Sequence, residues 1–187
     1  MEYFSIEKNG NKMYYRELGL LLYDSIFIYS EHGKVGLRDY RFKIIVQPTY
    51  DEITPAFSNH FWGRVFNLWH LYNFENKKVT TQGFKSVSKY TLDYAMVSIE
   101  GEKVGFLNRN GIIVIPPMYE SGKFLGLDFF SVSKQTEYGF KFGVIDRNEN
   151  LIHPYNLSAS MTFSEIILYV LNQRKPLREW LKLADYS

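Results

Sequence analysis

Histidine is the side chain best suited to proton transfer or metal binding near neutral pH. The chain contains four histidines: His32, His60, His70 and His153. None of them stands in the HExxH spacing or in another spacing that predicts a metal site. Convergence of His60 and His70 across a hairpin would be needed for a metal site, and no third ligand is indicated. Two interpretations of His70 stay open, a solvated polar residue on an edge strand and a contact residue for a partner.

The other common catalytic groups are missing or unsupported. The chain has no cysteine, which excludes thiolate chemistry, disulfides and cysteine-bound zinc. The phosphate-binding patterns GxxxxGK[ST] and GxGxxG do not occur, and neither does the GxSxG nucleophile turn. Carboxylates such as Asp51, Glu52 and Asp128 are predicted at turns, where they usually accept hydrogen bonds from backbone amides. The sequence therefore predicts a protein that is not an enzyme and that needs no metal and no cofactor.

Aromatic side chains crowd one segment, Phe57–Leu71, with the sequence FSNHFWGRVFNLWHL. Exposed aromatic rings are typical of surfaces that dock a partner. The candidate partner-binding residues are Phe61, Trp62, Phe66, Trp69 and His70. The alternative, which we favour for the segment as a whole, is that it forms two strands whose rings pack on the core.

Composition narrows the class of protein. With 187 residues, 45% hydrophobic and 22% charged, the chain is predicted to fold as one globular domain, residues 1–187. Aromatic residues make up 18%, which favours β-structure and binding surfaces. The net charge of +2 and the lack of an arginine-rich stripe argue against nucleic acid. No segment resembles a signal peptide or a membrane-spanning helix, so the expected location is the cytoplasm.

A pattern of strand, turn, strand and proline recurs along the chain. It is clearest at Lys103–Glu120 and can be aligned on one anchor position, occupied by Gly36, His70, Gly105 and Gly143. These anchors lie 34, 35 and 38 residues apart, and fourteen positions after them stand Tyr50, Phe84, Tyr119 and Leu157. Self-similarity at such a period is typical of repeat architectures.

The recurring segments resemble WG repeats, a bacterial family with the approximate pattern W-G-F-I-D-x-x-G-x-x-V-x-P-x-x-Y-D. The best match consists of Val104, Gly105, Phe106, Leu107, Asn108, Gly111, Val114, Pro116, Tyr119 and Glu120. The family tryptophan stands only at Trp69, beside His70. The resemblance covers roughly residues 33–157 and implies a β-rich repeat with a binding role and without common catalytic residues.

The predicted fold is mainly antiparallel β, with about four three-stranded units that form an open stack rather than a closed propeller. Residues 1–32 are a cap with the first strands, 33–157 the repeats and 158–187 a helical hairpin. The capping box Thr162–Glu165 predicts the first helix, and Pro176 the start of the second. The anchor glycine is expected to receive the ring of Tyr119 or its counterpart, and the prolines are expected to end their strands.

These patterns favour a non-catalytic protein-binding module. The specific form of this hypothesis is an intracellular immunity protein that inhibits a cognate bacterial toxin, so the partner would be a protein such as a toxin domain. The alternative is a carbohydrate-binding or small hydrolase-like domain that uses the aromatic residues of segment 57–71. A structural homo-oligomer built through sheet edges is a third hypothesis, and the oligomeric state is left open.

Overall fold

The computed structural model describes residues Ser5–Lys8, Asn11–Tyr14, Leu20–Tyr23 and 25–172. The described residues form antiparallel β-sheets and a helix near the C-terminus, so the predicted mainly antiparallel β-fold is confirmed. The chain divides into two compact units, Met1–Lys89 and Tyr90–Ser187. This division does not decide between one domain and two, so the single domain stays a prediction.

Unit 1 begins with a two-stranded hairpin, in which Ser5 pairs with Tyr14. The described strands of unit 1 are β1 (Ser5–Lys8), β2 (Asn11–Tyr14), β3 (Leu20–Tyr23), β4 (Ile26–Glu31), β5 (Lys34–Asp39), β6 (Ile44–Tyr50), β7 (Glu52–Pro55), β8 (His60–Val65), β9 (Leu68–Asn73) and β10 (Ser86–Val87). After the hairpin comes a sheet in the order β3-β4-β5-β6, and then a sheet in the order β7-β8-β9.

Unit 2 contains the consecutive antiparallel strands β11 (Tyr94–Ser98), β12 (Val104–Asn108) and β13 (Ile113–Tyr119). A four-stranded sheet follows, with β14 (Ser121–Gly126), β15 (Phe129–Thr136), β16 (Gly139–Asp146) and β17 (Leu151–Leu157) in that order. Because the sheets of the chain have three or four strands, uniform three-stranded units are not established. The sequence pattern missed the short strands β7 and β14, which start directly after the predicted turns at Asp51 and Glu120.

The same strand register recurs around all four anchor positions. The residue before each anchor pairs with the residue fourteen positions after the anchor: Val35 with Tyr50, Trp69 with Phe84, Val104 with Tyr119, and Phe142 with Leu157. The residue two positions after each anchor pairs with the residue eight positions after the anchor: Arg38 with Ile44, Tyr72 with Lys78, Leu107 with Ile113, and Ile145 with Leu151. The spacing read from the sequence therefore corresponds to equivalent positions in space.

The turn after each anchor strand is also built in one way. Three positions after each anchor stands an Asp or Asn: Asp39, Asn73, Asn108 and Asp146. The Oδ1 atom of each accepts a hydrogen bond from the backbone amide four residues further along the chain. Six positions after the anchor the backbone is left-handed, with φ between 61° and 75° at Phe42, Asn76, Gly111 and Glu149. Short polar side chains stabilise such turns by replacing missing backbone partners.

Gly36 and Gly105 face backbone and not an aromatic ring, which corrects one expectation, whereas an added Cβ on Gly143 would come 2.9 Å from both the His153 oxygen and the Tyr155 ring. A Cβ atom on Gly36 would come 2.4 Å from the Val46 oxygen, and one on Gly105 would come 2.3 Å from the Ile115 oxygen. Opposite each glycine the partner strand has a register shift. The prolines Pro48 and Pro116 lie within this irregular part of β6 and β13 and do not end the strands. A proline is tolerated there because an irregular position does not require its missing amide hydrogen.

His70 replaces the glycine in β9 and changes the segment opposite. Residues 78–84 pair with β9 only through two isolated bridges and form no named strand. The Leu71 amide donates to the Thr80 hydroxyl, 3.2 Å away. Opposite His70 the chain has Gly83, whose added Cβ would lie 3.0 Å from the His70 Nε2 atom. We conclude that the imidazole occupies the space that backbone fills around the glycine anchors.

The C-terminal helix α1 (Phe163–Asn172) begins at the predicted capping box. The Thr162 amide donates to Glu165 Oε2 at 2.6 Å, and the Glu165 amide donates to the Thr162 hydroxyl at 3.3 Å. Its buried residues Ile166 and Val170 pack on a core cluster of unit 2. The second predicted helix, from Pro176, lies outside the described residues. In the described part of the chain we find no helix with the length and apolar character needed to span a membrane.

Candidate partner-binding surface

Two of the predicted partner-binding residues, Phe61 and Trp62, are fully buried. Phe61 stacks on Tyr72 with ring centroids 5.6 Å apart, and it meets the Tyr50 ring edge-on at 5.4 Å. Trp62 donates its indole N–H to the Ser88 carbonyl at 3.1 Å. Consecutive strand residues point to opposite faces, so both faces of β8 are covered at this point. The positions of Phe61 and Trp62 therefore do not support direct contact with a partner.

Phe66 has the opposite environment, because it stands at the tip of the hairpin between β8 and β9. Val65 pairs with Leu68, which leaves Phe66 and Asn67 as a two-residue turn with φ of 50° and 62°. Such turns favour asparagine and glycine, and a bulky residue with positive φ is a steric outlier. The Phe66 residue is 90% exposed, so packing does not compensate for this conformation. Leu92 and Leu127 in unit 2 also have positive φ, but both are less exposed.

The Asp51 residue lies beside this tip. Its carboxylate accepts a hydrogen bond from the Lys34 ammonium group, and its backbone amide donates to the Arg64 carbonyl at 2.8 Å. Lys34 lowers the pKa of Asp51, although some desolvation opposes this effect. Asp51 is therefore ionised at neutral pH and connects the start of β5 to β8, the strand that leads to Phe66. Asp51 was expected to bond backbone amides at a turn, and its carboxylate instead bonds the Lys34 side chain.

Trp69 lies on β9 near this tip and is half-buried. The Arg64 guanidinium carbon lies 5.5 Å from the centroid of the Trp69 ring. On its other side Arg64 forms an ion pair with Glu52, with Nη2 and Oε2 2.9 Å apart. These three residues are cross-strand neighbours on one face of the β7-β8-β9 sheet. We call the set the Phe66 surface, and it consists of Lys34, Asp51, Glu52, Arg64, Phe66 and Trp69.

His70 lies on the opposite face of β9 from Trp69, since it pairs with Gly63 while Trp69 pairs with Arg64. It is half-buried, and its Nδ1 atom finds no hydrogen-bond partner among the described residues. Burial lowers the pKa of His70, as does the positive charge of Lys78, while the Gln82 carbonyl raises it. His70 is therefore neutral at physiological pH and belongs to the packing of unit 1 rather than to the Phe66 surface.

The Phe66 surface combines two aromatic side chains with two basic and two acidic side chains. Within the described residues, no group of three or more His, Cys, Asp or Glu could hold a metal ion. The role of Arg64 was not predicted from the sequence because it stands among aromatic residues, although an arginine five positions before a tryptophan at a hairpin could have suggested the contact. A comparison of the chain with models of protein families found no matching family, and a comparison with curated proteins found no matching sequence.

Proposed function

We propose that the protein is a non-catalytic protein-binding module that contacts its partner through the Phe66 surface. The observation that carries this proposal is Phe66 itself, a large apolar residue that is 90% exposed and held at positive φ. Local strain without a packing benefit is typical of positions that serve function rather than folding. A phenylalanine at this tip weakens the hairpin, so its benefit must come from a contact outside the chain.

The neighbours of Phe66 support the proposal in two ways. Phe, Trp and Arg are enriched in interfaces, and Trp and Arg dominate their binding energy. The Lys34 hydrogen bond to Asp51 and the Arg64 contact with Trp69 order the surface before a partner arrives. A surface that is already ordered loses less conformational entropy on binding.

The proposal extends to the architecture and to the family resemblance. We propose that the chain consists of WG-like repeats, each with the anchor strand, the strand that carries the proline and a third strand after the tyrosine and acidic residue. The recurring register supports the pairing of the first two strands. Strands β3 and β14 add a fourth strand to their sheets, and β7 adds a third strand to the sheet of β8 and β9. We also retain the proposal of a helical hairpin at the C-terminus, with α1 as its first helix.

The narrower form of the proposal is an immunity protein that inhibits a bacterial toxin. It is motivated by the small size, the absent catalytic motifs and the family resemblance, and a purified partner would decide it. An inhibitor abolishes the activity of the bound partner in proportion to occupancy. A partner that stays fully active when saturated with this protein would refute inhibition and leave the binding module intact.

The alternative of a carbohydrate-stacking platform in segment 57–71 loses two of its candidate rings. Such a platform needs accessible ring faces, and the rings of Phe61 and Trp62 are fully buried, which leaves Phe66 and Trp69.

The experiment is a pull-down with the tagged chain from its native cells, followed by titration of the purified partner. Phe66→Ala and Trp69→Ala are each expected to weaken binding about 30-fold or more, the effect of a hot-spot residue. Leu92→Ala is the matched control, because Leu92 is an exposed residue with positive φ in unit 2. Equal affinities for all three variants, or a chain recovered alone as a monomer, would overturn the proposal.

A further inference from the structure

The hairpin between β15 and β16 is longer than its equivalents in the other sheets. Tyr29 lies opposite Gly36, seven positions earlier, and Gly63 lies opposite His70 at the same spacing. The residue opposite Gly143 is Val132, eleven positions earlier. The additional residues account for the longest of the three anchor spacings. In repeat proteins, insertions of this kind often lie on the binding face.

These additional residues form a two-stranded projection. Its pairs are Lys134 with Lys141, Gln135 with Phe140, and Thr136 with Gly139. Pairing with β14 reaches only to Ser133, and pairing with β17 reaches only to Phe142. Residues 134–141 therefore extend past both neighbouring strands, and we call them the finger.

The end of the finger presents two aromatic residues in a fixed turn. Tyr138 is 78% exposed and Phe140 is 59% exposed. The Thr136 hydroxyl accepts a hydrogen bond from the Tyr138 amide at 3.2 Å and donates one to the Gly139 carbonyl at 2.7 Å. The aromatic residues add little to the core of unit 2, yet the backbone that carries them is ordered.

The base of the finger is fixed to unit 2. The Lys134 ammonium group lies 5.1 Å from the Tyr119 ring centroid and 5.0 Å from that of Tyr155. The hydroxyl groups of Ser121 and Ser133 lie 2.7 Å apart. A cation between two rings and a short hydroxyl contact restrict rocking of the hairpin. A two-stranded ribbon is weak by itself, and these contacts supply the support.

The charges of the finger indicate the chemistry of its partner. It carries Lys134, Lys141 and Glu137. Lys134 and Lys141 lie directly opposite each other, and like charges in such pairs repel. Carboxylates of a partner near the base of the finger would relieve this repulsion, while apolar groups would surround Tyr138 and Phe140.

We propose that the finger inserts into a concave cleft of a protein partner, with an apolar interior and acidic residues at the mouth. The proposal rests on the proposed protein-binding function and names the kind of surface that is bound. Ligand-binding clefts of enzymes have this combination of apolar lining and few polar groups. Insertion of the finger into such a cleft excludes the substrate, which supplies a physical mechanism for inhibition.

The test places a photo-reactive benzophenone amino acid at position 138 of the full chain, in the native cells. The control places it at position 92, also exposed in unit 2. Irradiation is expected to link position 138 to one protein, at peptides that line an apolar cleft with an acidic mouth. Cross-links to a convex or basic surface, to a second copy of this chain, or to no protein at all would each overturn the proposal.

Affinity measurements with the purified partner distinguish a failure of the finger proposal from a failure of the proposed function. Tyr138→Ala with Phe140→Ala is expected to weaken binding about 30-fold or more and to leave the melting temperature unchanged, since both residues are exposed. If Phe66→Ala weakens binding and the finger variant does not, the finger proposal fails and the proposed function stands. If neither variant weakens binding, both proposals fail.

Discussion

Gly105 lies directly against the carbonyl group of Ile115, so closely that an added Cβ atom would come 2.3 Å from the oxygen. Gly36 has the same relationship to Val46, at 2.4 Å. In both places the facing strand bulges toward the glycine and carries a proline two positions after the carbonyl. The glycine therefore serves the close approach of two backbones rather than a special backbone conformation.

Gly105→Ala is expected to lower the free energy of unfolding by about 3 kcal/mol or more, because the methyl group overlaps rigid backbone. The control is Gly101→Ala in the same unit, where an added Cβ meets nothing within 4 Å but φ is +66°. That control is expected to cost roughly 1–2 kcal/mol from backbone strain alone. Urea unfolding of both variants measures the difference, and equal losses would mean that the bulge yields to the methyl group.

Asp146→Ala is expected to cost about 2 kcal/mol, because Asp146 is buried and accepts the amides of Asn148 and Asn150 at 2.8 and 2.9 Å. Asp146→Asn should lose less than about 1 kcal/mol, since Asn108 makes the same two bonds in its own turn. Thermal unfolding of the two variants checks the order. A loss of equal size in both would show that the charge, and not the acceptor oxygen, matters.

Sequence patterns predicted the parts of the fold that depend on local chemistry. The capping box at Thr162 and the turn at Asn108 are examples, because the side chains that form them are close in sequence. The burial of Phe61 and Trp62 agrees with the favoured interpretation that the rings of segment 57–71 pack on the core, but alternation places the two rings on opposite faces, and only the tertiary structure shows that both faces are covered. Strand β7 was missed because it is only four residues long and is separated from β6 by Asp51 alone.

Part of the candidate site could be predicted from the sequence, because aromatic residues are visible in the sequence while their exposure and backbone conformation are not. The aromatic segment contains Phe66 and Trp69, but composition does not indicate which of its rings are exposed. The positive φ of Phe66 had no sequence signal, because only Asn67 at that tip is a usual turn residue. The finger left a trace in the sequence, the longer spacing between Gly105 and Gly143, but a spacing alone does not show that the additional residues pair as a hairpin.

Lowering the pH is expected to destabilise unit 1 through its half-buried histidines. Burial lowers the pKa of both His60 and His70 below the ordinary value of 6.5. Between the folded and unfolded pKa values the unfolded chain binds more protons, so stability falls as the pH drops below about 6.5. The free energy of unfolding, measured from pH 8 to pH 5, should show this decline. His70→Gln and His60→Gln should each flatten it in part, and an unchanged slope in both would assign the decline to other groups.

Phe66→Gly is expected to raise the free energy of unfolding by about 1 kcal/mol, because glycine adopts positive φ without strain. The exposed ring contributes little packing that could be lost. Phe66→Ala is the matched control, since alanine keeps the strain and should leave stability nearly unchanged. Both variants should lose affinity for the partner to the same extent. If Phe66 is retained for recognition, Phe66→Gly should gain stability and lose binding at the same time. A loss of stability in Phe66→Gly would instead make Phe66 a structural residue of the hairpin and remove the main support for the Phe66 surface.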